Sequence, residues 1–224
     1  MACILSLSSE VARGHVGNAV ARFVLQRLGH DVVALPTVVF SNHTGYARIA
    51  GARIEPRMLA DIVDALGDNG WLGGIDAVLT GYLPSAEHVT LAVDIVERLR
   101  RLRRDLFVLV DPVLGDEPGG LYVAEDAAMA VKSSLLPHAH LITPNRFELQ
   151  YLSGMAVEDA RSAAKAARLL GLPGVLATSV PHAMTGKLDN VLVLPRNTIV
   201  ASVTKRAAPP HVGNVRFSFE PFTV

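Results

Sequence analysis

Short apolar runs in this chain end again and again in a polar side chain, and that repetition limits its fold more than any other feature. Phe107-Val108-Leu109-Val110 is a β-prone run that stops at Asp111-Pro112-Val113-Leu114-Gly115-Asp116. The same event recurs where residues 4–7 meet Ser8-Ser9, residues 77–79 meet Thr80-Gly81-Tyr82, residues 140–142 meet Thr143-Pro144-Asn145, and residues 175–177 meet Thr178-Ser179. Asp-Pro alone also opens an ordinary turn. Five such strands are better explained by one parallel sheet whose carboxyl ends meet at a common edge, because ligands of open α/β folds bind beyond that edge.

The segments between the runs alternate with them. Gly14-His15-Val16-Gly17-Asn18 leads into a helix whose apolar positions are Val20, Phe23, Val24 and Leu28, closed by Gly29. Its glycine spacing is not the dinucleotide fingerprint, so a tight turn and a ligand loop both stay open, as does the role of His15. A strand over residues 31–35 passes through Pro36 into a β-prone stretch whose polar second half suits a flap over a pocket, spanning residues 38–53. Pro56 opens a helix carrying Leu59, Ile62, Val63 and Leu66, and residues 70–74 form a loop around Trp71. Residues 85–104 carry Val89, Ala92, Val93, Val96 and Leu99 on one helical face, with arginines at 98, 100, 101, 103 and 104 reading as a solvated helix end. Further helices are expected over residues 125–134, from Asn145, and over 160–170, a strand over 172–177, and antiparallel strands over 190–194 and 198–203. The predicted fold class is α/β: a three-layer α/β/α sandwich with a central, mostly parallel sheet and a small β flap.

A chain of 224 residues, half of them apolar, can bury one sizeable core, so one domain is expected. Basic and acidic residues each number 21, which leaves no overall field to favour nucleic acid or an anionic membrane. The single cysteine, Cys3, cannot form an internal disulfide and reads as a small buried hydrophobe in a reducing compartment. With no basic leader and no apolar run of ~18 residues, a cytoplasmic location is expected. His138 and His140 flank one residue, too little for a histidine metal centre. Gly186-Lys187 is followed by leucine and lacks the earlier glycine of a Walker A loop. Glu148 lies three residues beyond Asn145, where it either caps the helix or joins Asp111 and Asp116 in holding Mg²⁺ through water.

These residues together resemble a known family. Gly14-His15-Val16-Gly17-Asn18, Phe40-Ser41-Asn42-His43-Thr44-Gly45-Tyr46, Leu79-Thr80-Gly81-Tyr82, Asp111 through Asp116, and Ile142-Thr143-Pro144-Asn145 with Phe147-Glu148 are similar to stretches of the pyridoxal kinases, in the ribokinase-like superfamily. The resemblance covers residues 3–205 and implies ATP-dependent phosphorylation of the 5′-hydroxymethyl group of pyridoxal in vitamin B6 salvage. It implies substrate contacts by Ser9, Thr44 and Tyr82, nucleotide contacts by Asp111, Asn145, Glu148, Thr178 and Ser179, and metal contacts by Asp116, Thr143 and Glu148. ATP and Mg²⁺ are the implied co-substrate and ion, pyridoxal and ATP the partners, and a homodimer stays open.

The resemblance stops near the end. The family carries a Gly-Thr-Gly-Asp motif whose aspartate takes the proton from the attacking hydroxyl, whereas this chain reads Pro209-Pro210-His211-Val212-Gly213-Asn214. The expectation is a kinase domain over residues 1–208 and a divergent tail over 209–224, truncated or frame-shifted, with Asn214 near the general base's place and no catalytic residue matched. A pyridoxal-binding pseudokinase is the alternative function, and a hydroxymethylpyrimidine kinase the lesser one.

Overall fold

The computed structural model describes residues 1–205; Asn214, His211 and the expected tail over 209–224 lie outside the described residues. Its elements in chain order are β1 (Cys3–Val11), α1 (Asn18–Arg27), β2 (Asp31–Phe40), β3 (Gly51–Arg53), α2 (Pro56–Asp68), β4 (Ala77–Thr80), α3 (Ala86–Leu102), β5 (Phe107–Val110), β6 (Gly115–Asp116), β7 (Gly120–Leu121), α4 (Glu125–Ala130), β8 (Leu141–Ile142), α5 (Arg146–Ser153), α6 (Ala160–Leu169), β9 (Val175–Pro181), β10 (Lys187–Val193) and β11 (Thr198–Thr204). Nine strands form one sheet in the order β11-β10-β9-β8-β5-β4-β1-β2-β3, while β6 and β7 form a separate hairpin. The pairs from β2 through β9 are parallel, and β3, β10 and β11 pair antiparallel at the two ends. A mostly parallel sheet with helices is the expected α/β class.

The chain runs from β1 outward to β2, then returns past β1 to β4, β5, β8 and β9 on the other side. That reversal is a topological switch point between β1 and β4, and it opens a crevice at their carboxyl ends. Right-handed crossovers place α1 on one face and α2 to α6 on the other. Burial follows this division. Val78, Val108, Val110, Ala177 and Val191 are fully covered within the main core. The alternate positions Leu79, Leu109, Leu141, Leu176 and Leu192 are only partly buried. Leu79 pairs with Leu109 and Leu109 with Leu141, so these leucines form a half-open row across the sheet. No helix among the described residues is long and apolar enough to cross a membrane.

Several expected boundaries move. β1 does not stop before Ser8-Ser9 but continues to Val11, with an irregularity between Ser8 and Glu10, because β2 itself runs on to Phe40 and supplies partners. The flap is therefore the far half of β2 hydrogen-bonded to β3, an extension of the main sheet rather than a separate element. β9 begins at Val175 and continues through Thr178-Ser179 to Pro181, since antiparallel β10 offers a ladder that a parallel neighbour alone does not. The helix expected over residues 125–134 is α-helical only to Ala130 and widens into a π turn, Val131–Leu135. Phe23 and Leu28 of α1 are exposed rather than core-facing, and Cys3 is only partly buried. Three of the five arginines around the end of α3 are anchored, Arg98 by Asp64, Arg103 by Asp76 at 2.8 Å and Arg100 by donating to the carbonyl of His138 at 2.6 Å, while Arg101 and Arg104 are exposed as expected.

Candidate active site

Parallel pairing brings Tyr82, Asp111, Thr143 and Asn145 to one edge of the sheet, each just past the carboxyl end of its strand, with Ser9 inside the last third of β1. Two walls rise there.

The first wall is the flap with the loop after β4. Ser41 and Asn42 shape the flap's tip: the Ser41 hydroxyl accepts from the Ala50 amide at 3.0 Å, and the Asn42 amide donates to the carbonyls of His43 and Arg48 at 3.1 and 3.2 Å. Thr44 and Tyr46 are left exposed on the tip. Tyr82 is partly buried, and its hydroxyl is pushed above the usual phenol range, first by burial and against the pull of Arg53. Its backbone is held on both sides, by the Thr37 hydroxyl donating to the Tyr82 carbonyl at 2.7 Å and by the Tyr82 amide donating to Ser8 Oγ at 3.3 Å. Gly17, in the left-handed region at φ 56°, packs directly on Ser9, and a side chain there would overlap the Ser9 carbonyl and hydroxyl. Asn18 beside it is fully buried and ties the start of α1 to both strands, pairing with Ser6 Oγ at 2.7 Å and donating to the carbonyls of Ser8 and Leu35.

The second wall is built around residues 111–116. The Asp111 amide continues the ladder by donating to Thr80 at 2.9 Å, and its carboxylate accepts from the Thr143 hydroxyl at 3.0 Å. Asn145 caps α5 in a reciprocal capping box with Glu148. The Glu148 carboxylate, 3% exposed, also accepts from the amides of Leu114 at 3.0 Å and Gly115 at 3.5 Å, while Asn145 Nδ2 donates to the Gly115 carbonyl at 2.7 Å. One Asn and one Glu thus clamp the loop after β5 onto the start of α5. Of the two roles set out above for Glu148, the structure forms the cap, and the same carboxylate also reaches the loop after β5.

Electrostatically this wall is under-compensated. Burial, followed by the charge of Asp111, pushes Glu148 up to about 8 although three backbone amides oppose the shift. Burial likewise pushes Asp111 up to about 6 against the Thr143 hydrogen bond. Two carboxyls that resist ionisation side by side are poised for a cation or for protons. Asp116 accepts a hydrogen bond from the Tyr122 hydroxyl, which raises the tyrosine further beyond its burial shift. No group of three or more His, Cys, Asp or Glu side chains able to hold a metal occurs among the described residues.

Beside this wall lies a cleft of about 500 Å³, bordered by Asp116, Asn145, Ser179, Thr185, Lys187 and Lys205. Two residues of β9, Thr178 and Ser179, oppose the single Asn190 of β10, and Ser179 adopts φ 57° at this bulge. Thr178 bridges to Asn145 and its amide donates to the Pro144 carbonyl at 2.9 Å, so the bulge is fixed against the second wall. Lys187, Lys205 and the turn between β9 and β10 were not predicted as site residues. Gly186-Lys187 fits no phosphate-loop pattern, and the signal available was only a glycine-lysine turn between two strands.

Comparison with known proteins fits this arrangement. Residues 25–212 match the phosphomethylpyrimidine kinase family. A pyridoxal kinase from Leifsonia xyli subsp. xyli is 41% identical over 195 residues, covering 85% of this chain and 69% of that protein. The chain belongs to the pyridoxal kinase family. A second family member, from Corynebacterium diphtheriae, is 39% identical over 180 residues, covering 79% of this chain and 64% of its own length. The pyridoxal kinase from Leishmania donovani in complex with ADP and pyridoxamine superposes with a TM-score of 0.86 at 34% identity, over 92% of this chain and 73% of that one. The ribokinase-like fold of the pyridoxal kinases is therefore the fold of this chain, which spans less than two thirds of the Corynebacterium relative.

Proposed function

We propose that this chain binds pyridoxal and ATP at the carboxyl edge and transfers the γ-phosphoryl group to the 5′-hydroxymethyl of pyridoxal, forming pyridoxal 5′-phosphate. The observation that carries this reading is the second wall, where Asp111, Thr143, Asn145 and Glu148 interlock beside a cleft holding two lysines. In this reading Ser9 and Thr44 supply hydrogen bonds to the ring substituents and Tyr82 an aromatic face. Asp111, Asn145, Glu148, Thr178 and Ser179 line the nucleotide side, with Lys187 and Lys205 drawing phosphate into the cleft. Positioning and charge neutralisation are what phosphoryl transfer requires of a protein.

The residues fit Mg²⁺ in kind. Asp116, Thr143 and Glu148 offer only oxygen, and Mg²⁺ commonly keeps several waters and binds through one or two carboxylates plus phosphate oxygens. Because the Glu148 oxygens already accept from three amides, any contact it made with the ion would run through water. The ion would neutralise charge on the transferred phosphate.

A second reading, pyridoxal binding without efficient transfer, is favoured by Asn214, since an amide cannot accept the proton of the attacking hydroxyl. Pyridoxal titration and pyridoxal 5′-phosphate formation, measured for the natural sequence and for Asn214→Asp, separate the two. Binding with slow turnover that rises about tenfold or more in Asn214→Asp supports the second reading. Turnover indifferent to the substitution supports the first. No pyridoxal binding in either protein rejects both.

A further inference from the structure

A circuit of hydrogen bonds closed by backbone joins the flap to the loop carrying Tyr82, and Ile54, Ser85 and His88, which complete it, are not among the site residues named above. The Thr37 hydroxyl donates to the Tyr82 carbonyl at 2.7 Å, and the Thr37 carbonyl accepts from the Ile54 amide at 3.0 Å. The Ile54 carbonyl meets Nε2 of His88 at 2.9 Å, and Nδ1 of His88 meets the Ser85 hydroxyl at 2.8 Å. From Ser85 the backbone returns through Pro84 and Leu83 to Tyr82. A carbonyl only accepts, so Nε2 carries a proton and donates. Thr37 and His88 are 0% and 3% exposed, so water does not stand in for either contact.

Two details say that the circuit is more than helix packing. Ser85 occupies the N-cap of α3, where a serine hydroxyl ordinarily accepts from a backbone amide of the first turn, yet it makes no such bond. Its hydroxyl goes to His88 instead. The anchor at the other end is Ile54, the residue immediately after β3, where the flap rejoins the body of the protein. The circuit therefore links the root of one side of the pocket to the root of the other.

We propose that His88 is a positioning residue for the pyridoxal pocket: with Thr37 and Ser85 it fixes the spacing between the flap and the Tyr82 loop, and so the gap into which the flat ring of the substrate enters. The inference rests on the pyridoxal reading given above. Its structural half, the coupling of flap to loop, is testable without it.

Amide hydrogen exchange on the full chain reads the coupling directly, using peptides over residues 41–54 and 81–86 with α6 as control. In Thr37→Val and His88→Leu, exchange at the first two peptides rises about tenfold, as expected for loss of a buried hydrogen bond, while α6 is unchanged. His88→Gln can donate to the Ile54 carbonyl and accept from the Ser85 hydroxyl, and it returns exchange to within about threefold of the natural chain. Pyridoxal affinity falls about tenfold in the first two variants and recovers in His88→Gln, with affinity for magnesium ADP held within about twofold throughout. Unchanged flap exchange in Thr37→Val, or an equal rise in all peptides, overturns the proposal, and Thr37→Val decides alone if His88→Leu does not fold. Absence of pyridoxal binding by the natural chain rejects the functional reading, and exchange then still decides whether the circuit couples flap to loop.

Discussion

The two walls of the site are held together by opposite means. The wall with Tyr82 is fixed by hydrogen bonds in which no carboxyl takes part, between hydroxyls, an imidazole and backbone groups. The wall with Asp111 is fixed by a buried carboxyl that accepts from three amides while sharing its surroundings with a second carboxyl. Under the proposed function, a wall held without buried carboxyls suits a flat, largely uncharged ring. A wall of reluctant carboxylates favours a cation or protons, which under the proposed function suits a metal-bound nucleotide. The contrast teaches that one edge of one sheet can prepare two kinds of recognition by choosing which groups it buries.

The largest expected effect tests what Glu148 holds. Glu148→Ala leaves the amides of Leu114, Gly115 and Asn145 without their acceptor, and denaturant unfolding should report a loss of roughly 3 kcal/mol or more. Glu148→Gln keeps one acceptor oxygen, enough for the Leu114 and Gly115 amides or for that of Asn145 but not for both, and should lose less. A similar loss in both would mean that the charge, not the clamp, matters.

The next effect separates the walls by pH. Glu148 moves from 4.5 in the unfolded chain to about 8 when folded, and Asp111 from 3.8 to about 6. Between those values the unfolded chain has released the proton that the folded chain retains. Stability therefore falls as pH rises through the window from 3.8 to about 8 and levels off above it. Denaturation midpoints between pH 5 and 8 should drop by the equivalent of roughly 1–3 kcal/mol, and the slope should flatten in Glu148→Gln. A slope unaltered by that substitution would break the contrast between the walls.

The smallest effect belongs to the neutral wall. Tyr82→Phe keeps the aromatic face and should change pyridoxal affinity by less than about threefold, whereas Tyr82→Ala should weaken it about tenfold. Equal losses would transfer the role from the ring face to the hydroxyl.

Much of this was legible in the sequence, for reasons that differ by element. Asp111, Thr143 and Asn145 stand at strand ends because a parallel strand surrounded by apolar neighbours turns charged or carboxamide most cheaply where it leaves the sheet, and that change is written in the residues themselves. Ser9 and Ser179 were placed after their strands but lie within them, since irregular pairing with β2 and β10 depends on partners distant in sequence. The Asn145–Glu148 spacing left capping open as one of two roles, yet nothing local revealed that the same carboxylate reaches across to Leu114. Thr37 and His88 carry no signal in the sequence, because the partners Tyr82 and Ile54 lie 45 and 34 positions away. Phe23 and Leu28 follow helical spacing without being buried, a reminder that periodicity tells which residues share a face and not what covers it.

The separability of the two walls is tested most directly by one paired titration, of Asp111→Asn with magnesium ADP and with pyridoxal. The substitution keeps shape and the Thr143 contact while removing charge from the second wall alone. The account predicts that affinity for magnesium ADP falls about tenfold while affinity for pyridoxal stays within about twofold. Equal losses for the two ligands, or a loss confined to pyridoxal, would contradict it.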